Sequence, residues 1–597
     1  MAVLLAVAVA LAFADSSIVV LALPELYGEF DTSIVGVSWV ITAYNVAITV
    51  AALAVLLTAR RVRPVVLLGA GLAVFAAASL VCGLVNSLPL LLGARAVQGV
   101  GAAGLLAGAL AALAALAGDR SRGVSTWLLA ATVGAAVGPA LGGVLTELLS
   151  WRAVFLVQAP AAVLALISCS RPAVRRAPPD APGASLRGTL TANGGFVLVF
   201  AALVGALFLA VLLVVVVWGF TPALGALVVS ALPAGALAAR FVRCPPVLGA
   251  VGGATLLAGG LIGLAFLPDA SGRWAAPALA ACGIGLGLIG AVLGPASLPH
   301  GAPAVTAGTA TVAARHFGFV LGLVIVAPLL AADLESATRE ATRAGVASIL
   351  DARIPVTTKI PLALDLRDAI EGTPRGHVPD LAQPFAENGA DDDPALRATQ
   401  TQLQSALAEP LTRGFRPSFV VSAILGALAV VPALLVARRT GDAVARTPTG
   451  TQTGVVAVGV AMAAIAAFVA VEIGQGARDF GEREYVAPCT AGPVQYPGDG
   501  LDPALQRIVL SGLNGAACEL GAGREELVLS LVPRAGFDDV QWDQDTLEQA
   551  LEAGFLRSID DGEDRGSLNS IVATVLRGIV RVAPIDWLLD RVDLPFD

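Results

Sequence analysis

Two charged residues fall inside long apolar stretches of the sequence, where charge is costly. Asp15 stands within residues 13–19 and Arg95 within residues 92–99. An ionised carboxylate near the middle of a membrane-spanning helix costs about 2.5 to 3.5 kcal/mol on insertion scales, so Asp15 needs a counter-charge or a proton. Arg95 is the best counter-charge that the sequence offers. We predict that the two residues form a pair that couples to proton binding, with a purely structural ion pair as the alternative.

Further polar residues in apolar stretches are candidates for lining a cavity. Arg315 and His316 stand near the start of one such stretch, where a cavity role and a snorkelling anchor at the membrane surface are both open. The full set of cavity or substrate candidates is Trp39, Tyr44, Asn45, Gln98, Gln158, Arg315 and His316.

The sequence carries no pattern typical of a metal site or an enzyme. Its three histidines, His300, His316 and His377, have no ligand spacing, and no nucleophile motif or phosphate-binding loop occurs. We therefore expect no catalytic residue, no metal and no cofactor.

A glycine pattern marks one apolar stretch as a site of close helix packing. Small residues recur every four positions, with a proline between them, at Gly134, Gly138, Pro139, Gly142 and Gly143. This spacing lets two helix backbones approach closely, and an internal proline bends the helix. The pattern predicts a packed, bent helix that acts as a pivot.

Composition requires a membrane protein to position these residues. The 597 residues are 56% hydrophobic and 14% charged, with a mean hydropathy of +0.81, which excludes a single soluble domain. Thirteen apolar stretches are each long enough to span a bilayer. They lie near 3–24, 33–57, 65–86, 88–116, 123–147, 152–170, 193–218, 220–239, 246–267, 274–297, 309–332, 417–437 and 453–473.

Arginine placement predicts the orientation in a plasma membrane. Among the short loops, one alternate set holds all the arginines except Arg273, which makes the side of that set cytoplasmic. The N-terminus, a linker at 171–192 and a loop at 438–452 are then cytoplasmic. A charged helical hairpin at 333–415 and an acidic tail at 474–597 are extracytoplasmic. The tail is mostly helical by pattern, and an oxidising side would permit a disulfide between Cys489 and Cys518, with two free thiols as the alternative.

The pattern resembles the drug/proton antiporter branch of the major facilitator superfamily over residues 3–437. Residues that match its helix motifs are Asp15 with 18–19 and 22–24, Trp39, Tyr44, Arg95, Gln98, Gly99, Gly101, the five residues of the glycine pattern, Trp151, Arg152, Phe155 and Pro160. The resemblance implies an all-α fold of two six-helix bundles, 1–170 and 193–437, that rock around a central cavity, and proton-driven export. The thirteenth helix and the small, mainly helical tail are additions. Residues 57–64 lack the aspartate that the family carries there.

These observations favour a proton-coupled exporter of amphipathic or lipophilic small molecules. Because helices seven to ten carry no carboxylate in their cavity-facing half, neutral, lipophilic or anionic cargo is preferred over cations. The large extracytoplasmic segments support an alternative, an exporter or flippase of envelope lipids or their precursors. A non-transporting receptor or scaffold is the third hypothesis. Expected partners are the cargo, protons, membrane lipids and an extracytoplasmic protein; nucleic acid is not expected.

Overall fold

The computed structural model describes residues 1–180, 189–299, 302–372, 381–444, 451–483, 485–530 and 542–581. All regular secondary structure in these ranges is helical. Parts of the predicted linker (181–188), of the cytoplasmic loop (445–450) and of the hairpin tip (373–380) lie outside the described residues, as do His300 and His377.

Six helices form the N-terminal half. They are α1 (Ala2–Glu29), α2 (Ile34–Thr58), α3 (Pro64–Leu84), α4 (Leu88–Ala117), α5 (Arg120–Leu148) and α6 (Trp151–Ser170). Local signals set their ends. Ser33 accepts a hydrogen bond from Gly36 N at the start of α2, and Asp119 caps α5. Gly118, at a φ of 64°, ends α4 in the left-handed conformation that glycine favours.

The C-terminal half begins with α7 (Leu190–Val217), α8 (Pro222–Ala239), α9 (Pro246–Ala265) and α10 (Gly272–Ser297). The next helix, α11 (Ala304–Asp351), is 48 residues long. It therefore continues past the predicted span into the charged hairpin. Three shorter helices follow: α12 (Val356–Gly372), α13 (Ala382–Glu387) and α14 (Pro394–Gly414).

The chain then returns through α15 (Arg416–Leu428), α16 (Val430–Val444) and α17 (Thr451–Gly474). Among the described residues, twelve helices are long and apolar enough to cross a membrane, or thirteen if the bent helix α5 counts as one span. The tail adds α18 (Leu501–Glu519), α19 (Arg524–Ser530), α20 (Gln544–Asp564) and α21 (Ser570–Val580). The prediction of an all-α, multi-pass membrane protein is confirmed.

Helix α5 bends where the sequence places its proline. The segments Arg120–Ala135 and Val137–Leu148 meet at 41°. Pro139 has no N–H to donate to the preceding turn, and its ring crowds the carbonyl four residues earlier, so the bend falls just before it.

The described residues group into two compact units. Unit 1 comprises those of Met1–Leu334 and Thr412–Phe480, and unit 2 those of Glu335–Thr373, Pro379–Leu411 and Gly481–Asp597. The core of unit 1 draws on both halves of the membrane region, with fully buried residues such as Phe155, Phe208 and Phe419. The burial of these apolar side chains stabilises the packing of the helices.

Unit 2 joins the hairpin to the tail, although the sequence pattern had suggested two separate segments. Arg524 Nη2 lies 2.6 Å from Asp351 Oδ1, and Asp502 Oδ1 accepts a hydrogen bond from Val356 N at 2.8 Å. Arg483 Nη1 donates to Ala344 O and to Ser348 Oγ, both at 2.8 Å. Polar contacts over more than a hundred intervening residues therefore tie the tail to the hairpin.

Two further features of unit 2 bear on its chemistry. Cys489 and Cys518 are bonded, as predicted. Lys359, the only lysine in the sequence, donates to Leu350 O and Gln506 Oε1, both at 2.8 Å. Burial lowers the pKa of this lysine to about 8, because it disfavours the ammonium form.

Candidate functional site

Asp15 on α1 and Arg95 on α4 form an ion pair inside the N-terminal half. Asp15 Oδ2 lies 2.6 Å from Arg95 Nη1, and both side chains are fully buried. Opposite charges in contact offset part of the cost of keeping each away from water, whereas either charge alone would be strongly unfavourable there. The two residues depend on each other for their burial.

Two glutamines surround the carboxylate. Gln158 Nε2 on α6 donates to Asp15 Oδ1 at 3.0 Å, and Gln98 Nε2 on α4 approaches the same oxygen at 3.4 Å. Gln98 also accepts from Arg95 Nη1 at 2.6 Å and donates to Ser79 Oγ at 2.9 Å. These donors are complementary to a negative charge. Adding a proton to Asp15 would remove the charge that all of them face.

The guanidinium of Arg95 is held on its other sides by α2. Its Nε donates to Val40 O at 2.9 Å, and its central carbon lies 4.4 Å from the centroid of the Tyr44 ring. The Tyr44 hydroxyl donates to Ala12 O on α1 at 2.9 Å. A cation over an aromatic face is stabilised when both are buried. Tyr44 therefore positions Arg95 and joins α1 to α2.

A second set of hydrogen bonds runs from α1 to the C-terminal half. Ser16 Oγ donates to Asn45 Oδ1 at 3.2 Å, and His316 Nδ1 lies 2.7 Å from the same oxygen. Because Asn45 Nδ2 donates to Ile41 O, Oδ1 is the acceptor, so His316 Nδ1 is the donor. The residue after Asp15 is thereby linked, through α2, to α11.

A cavity of about 410 Å³ lies between α5 and the C-terminal helices α7, α8, α10 and α11. Most of its wall is apolar, with Leu203, Leu207, Leu232 and Leu286 prominent. The charged groups that line it are Arg240 and Arg315. A smaller cavity of about 50 Å³ shares Arg315 and part of this wall, and it extends to Ser16 and His316. Arg315 therefore lines both cavities.

Glycines on α5 bring that helix against α1. A Cβ at Gly134 would collide with Ala10 O, one at Gly138 with Ser17 Oγ, and one at Gly142 with Ile18 O. Gly143 faces α8, where an added Cβ would lie 2.6 Å from Pro222 O. The glycine pattern thus packs α5 tightly against both halves of the molecule.

The start of α11 is held by the linker and by loops of the N-terminal half. Asp180 Oδ2 accepts from Thr306 N and Thr306 Oγ1, both at 2.6 Å, and its Oδ1 accepts from Val305 N at 3.3 Å. The backbone N–H of Asp180 donates at 3.4 Å to Ala59 O, which belongs to the segment 57–64 that lacks an aspartate. Arg120 donates to Ala302 O. A linker carboxylate therefore caps this helix.

The structure separates the sequence candidates into groups. Gln98 and Gln158 touch Asp15, Tyr44 touches Arg95, Asn45 binds His316, and Arg315 and His316 line a cavity. Trp39 is 47% exposed and does not line either of these cavities.

Sequence reasoning missed Ser16, Ser79 and Asp180. Serine is common in membrane helices, so no local signal marks the first two. Asp180 was overlooked because its helix partner is far away in the sequence. Glu472, in the last turn of α17, is also fully buried, and its carboxylate has no hydrogen-bond partner among the described residues.

Residues 5–327, more than half of the chain, match the family model of the Major Facilitator Superfamily. The chain therefore belongs to this family of membrane transporters. The fold is similar to the crystal structure of a bacterial homolog of the human lysosomal transporter Spinster, in an inward-facing and occupied conformation. That match has a TM-score of 0.51 and 17% identity, covering 73% of this chain and 96% of the other, so it supports the fold alone.

Relatives in sequence include drug-resistance proteins. The chain is 34% identical over 162 residues to multidrug resistance protein Stp of Mycobacterium tuberculosis, which is 26% of this chain and 29% of that protein. It is 37% identical over 191 residues to puromycin resistance protein pur8 of Streptomyces alboniger, 31% of this chain and 37% of the relative. The matches thus span well under two thirds of each relative. The predicted resemblance to multidrug exporters is confirmed.

Proposed function

We propose that this protein is a proton-coupled secondary exporter of amphipathic or lipophilic small molecules that works by alternating access. The observation that carries the proposal is the fully buried pair of Asp15 and Arg95. An acidic group that is buried in a membrane helix and contacts a counter-charge can exchange a proton for that contact. The drug-resistance relatives support the direction of transport.

Coupling follows from what protonation would do to the pair. A proton on Asp15 removes the negative charge that Arg95, Gln98 and Gln158 face. Arg95 is then left buried without a counter-charge, which is unfavourable in this conformation. A conformation that gives Arg95 other partners becomes preferred, so proton binding on one side of the membrane drives the conformational change.

A chain of hydrogen bonds connects the Asp15 region of α1 to the cavity. Ser16 follows Asp15 directly and bonds Asn45, which in turn accepts from His316 beside Arg315. A shift of α1 therefore moves a residue of the cavity wall. By linkage, cargo that favours the conformation with ionised Asp15 must promote proton release.

The α5 glycines supply the moving contact. Gly138 packs on Ser17, while Ala131 and Ala135 of the same helix line the cavity. Leucine at Gly138 would separate α1 from α5. We expect Gly138→Leu to abolish export. Gly459→Leu should be harmless, because no atom of the described residues lies within 4 Å of a Cβ at Gly459. Normal export by Gly138→Leu, in protein that inserts normally, would contradict a role for this contact.

The proposed orientation keeps the N-terminus in the cytoplasm and unit 2 on the extracytoplasmic side of the plasma membrane. The arginine-rich loops support it, and so does the Cys489–Cys518 bond, because disulfides persist in oxidising compartments. Impermeant thiol reagents should label these cysteines in intact, reduced cells. Labelling of these cysteines only after permeabilisation would show that unit 2 lies on the cytoplasmic side.

The main experiment measures proton-driven transport in proteoliposomes. An imposed pH gradient should drive the neutral lipophilic dye Nile red across the membrane with the wild-type protein and fail to do so with Asp15→Asn. Asp119→Asn is the matched control, because Asp119 is a half-exposed cap at the start of α5. Equal gradient-driven transport by wild type and Asp15→Asn would refute coupling through Asp15.

A second candidate function is export of envelope lipids or their precursors. The apolar cavity wall and the compact unit 2, which a small drug exporter does not need, favour it. Lipid analysis of a deletion strain distinguishes the two. Loss of one lipid class from the outer envelope, together with no transport of dyes, would select the lipid function.

A further inference from the structure

Within the described part of the chain, Arg315 has no acidic side chain as a partner. It stands eleven residues into α11, and its side chain lines both cavities. It makes no ion pair among the described residues, and its Nε is buried without a hydrogen-bond partner. Arg315 is half-buried, and a charge that is largely removed from water is normally paired, so a partner from outside the chain is expected.

Three aromatic rings surround this guanidinium. Its central carbon lies 4.9 Å from the centroid of Phe196, 5.3 Å from Phe200 and 5.6 Å from Phe13. Ring faces stabilise the cation without neutralising it. The rings also fix the direction of a planar donor group whose geometry matches a carboxylate.

The charge around the cavity has one sign. Arg240 is the other ionisable residue of the larger wall, and no acidic residue of the described chain lines either cavity. The remaining wall is mostly leucine, alanine, proline and glycine. Ala135, Ala291 and Pro295 in this wall are exposed, so one side of the cavity is open at the surface of the membrane region.

We propose that the cargo is an amphipathic organic anion whose acidic head binds Arg315 and whose apolar body lies along the leucine wall. This inference rests on the proposed function only in naming the bound molecule as cargo. The cavity volume of about 410 Å³ falls within the range of small-molecule sites. A cation is disfavoured by both arginines, and a neutral molecule such as Nile red binds more weakly than an anion, because it offers Arg315 only an uncharged hydrogen-bond acceptor.

The test compares three probes with the same chain length: dodecanoate, dodecanol and dodecyltrimethylammonium. Binding to the purified full chain in detergent is measured below the critical micelle concentration of dodecanoate and dodecyltrimethylammonium and below the solubility limit of dodecanol. Dodecanoate should bind at least about tenfold more tightly than dodecanol, as a charge-assisted hydrogen bond implies, and dodecyltrimethylammonium should bind most weakly. Equal affinities for dodecanoate and dodecanol would overturn the proposal.

Variants identify the residue responsible. Arg315→Gln should bring the dodecanoate-to-dodecanol affinity ratio close to one, Arg315→Lys should retain part of it, and Arg122→Gln, at an exposed arginine, should leave it unchanged. If Arg315→Gln unfolds, the decrease in the ratio from wild type to Arg315→Lys is measured instead, and an unchanged ratio in Arg315→Lys would refute the assignment. A ratio that survives in folded Arg315→Gln would refute the assignment.

The outcomes separate this inference from the proposed function. Proton-driven export of Nile red without any preference for dodecanoate would support the transporter and refute the anion site. Selective dodecanoate binding that depends on Arg315, without proton-driven transport of dodecanoate or dye, would support the anion site and refute the exporter.

Discussion

Replacing Asp15 with asparagine keeps the shape of the side chain and removes its charge. Arg95 is then left fully buried without the carboxylate that lies 2.6 Å away in the wild type. Removing one partner of a buried pair typically costs about 3 to 5 kcal/mol. Solvent does not weaken the interaction between the two charges, because neither side chain is exposed. This free-energy cost corresponds to a decrease of roughly a hundredfold or more in the population of the conformation that holds the pair.

Protonation of Asp15 would remove the same negative charge that Asp15→Asn removes. We therefore expect Asp15→Asn to leave this conformation without unfolding. The double variant Asp15→Asn/Arg95→Gln removes both charges and should recover most of the lost stability. Thermal stability in detergent is measured for the wild type, both single variants and the double variant, which gives the coupling energy of the pair. Additive effects would show that the two residues do not act as a pair.

Cargo-induced proton release from the purified protein is measured in parallel. The wild type should release protons on binding cargo, and Asp15→Asn should release none while still inserting into membranes. Arg95→Gln should lose transport and change the pH at which release occurs. Undiminished release from Asp15→Asn would show that another group carries the proton, and His316, which bonds Asn45, would be tested next.

Three other predictions concern the linker and unit 2. Asp180→Ala removes the cap of α11, worth about 0.5 to 2 kcal/mol, so hydrogen exchange at 304–308 should accelerate. Unchanged exchange would show that Asp180 does not stabilise the start of this helix. Changing Cys489 and Cys518 to serine should lower the free energy of unfolding of unit 2 by about 3 to 4 kcal/mol, given their separation of 29 residues; denaturant titration with proteolysis tests this, and an unshifted midpoint would contradict it. The pKa of Lys359 is lowered to about 8 from 10.5, so amine reagents should modify it with a midpoint near pH 8. Because the unfolded chain holds the proton more tightly, the stability of unit 2 should rise between about pH 8 and 10.5; a midpoint above pH 10 would disprove the burial effect.

Apolar length and motif spacing in the sequence determined the helices and the family. A bilayer span requires a continuous apolar run, which is a local property, so the predicted spans agree with α1 to α10 to within a few residues. Asp15 and Arg95 could be paired from the sequence because charges inside such runs are rare and each needs the other. The Cys489–Cys518 bond followed similarly, since the tail holds just two cysteines.

Tertiary structure decided which faces of the helices meet. Hydropathy does not fix the rotation of a helix that is apolar on all sides, so the sequence left Arg315 between an anchor and a cavity residue, and it grouped Trp39 with the cavity candidates although that side chain is exposed. The links from Ser16 through Asn45 to His316, the cap of α11 by Asp180 and the union of the hairpin with the tail all join residues far apart in the chain. Such contacts depend on packing between distant segments, and a local pattern of residue types carries no record of them.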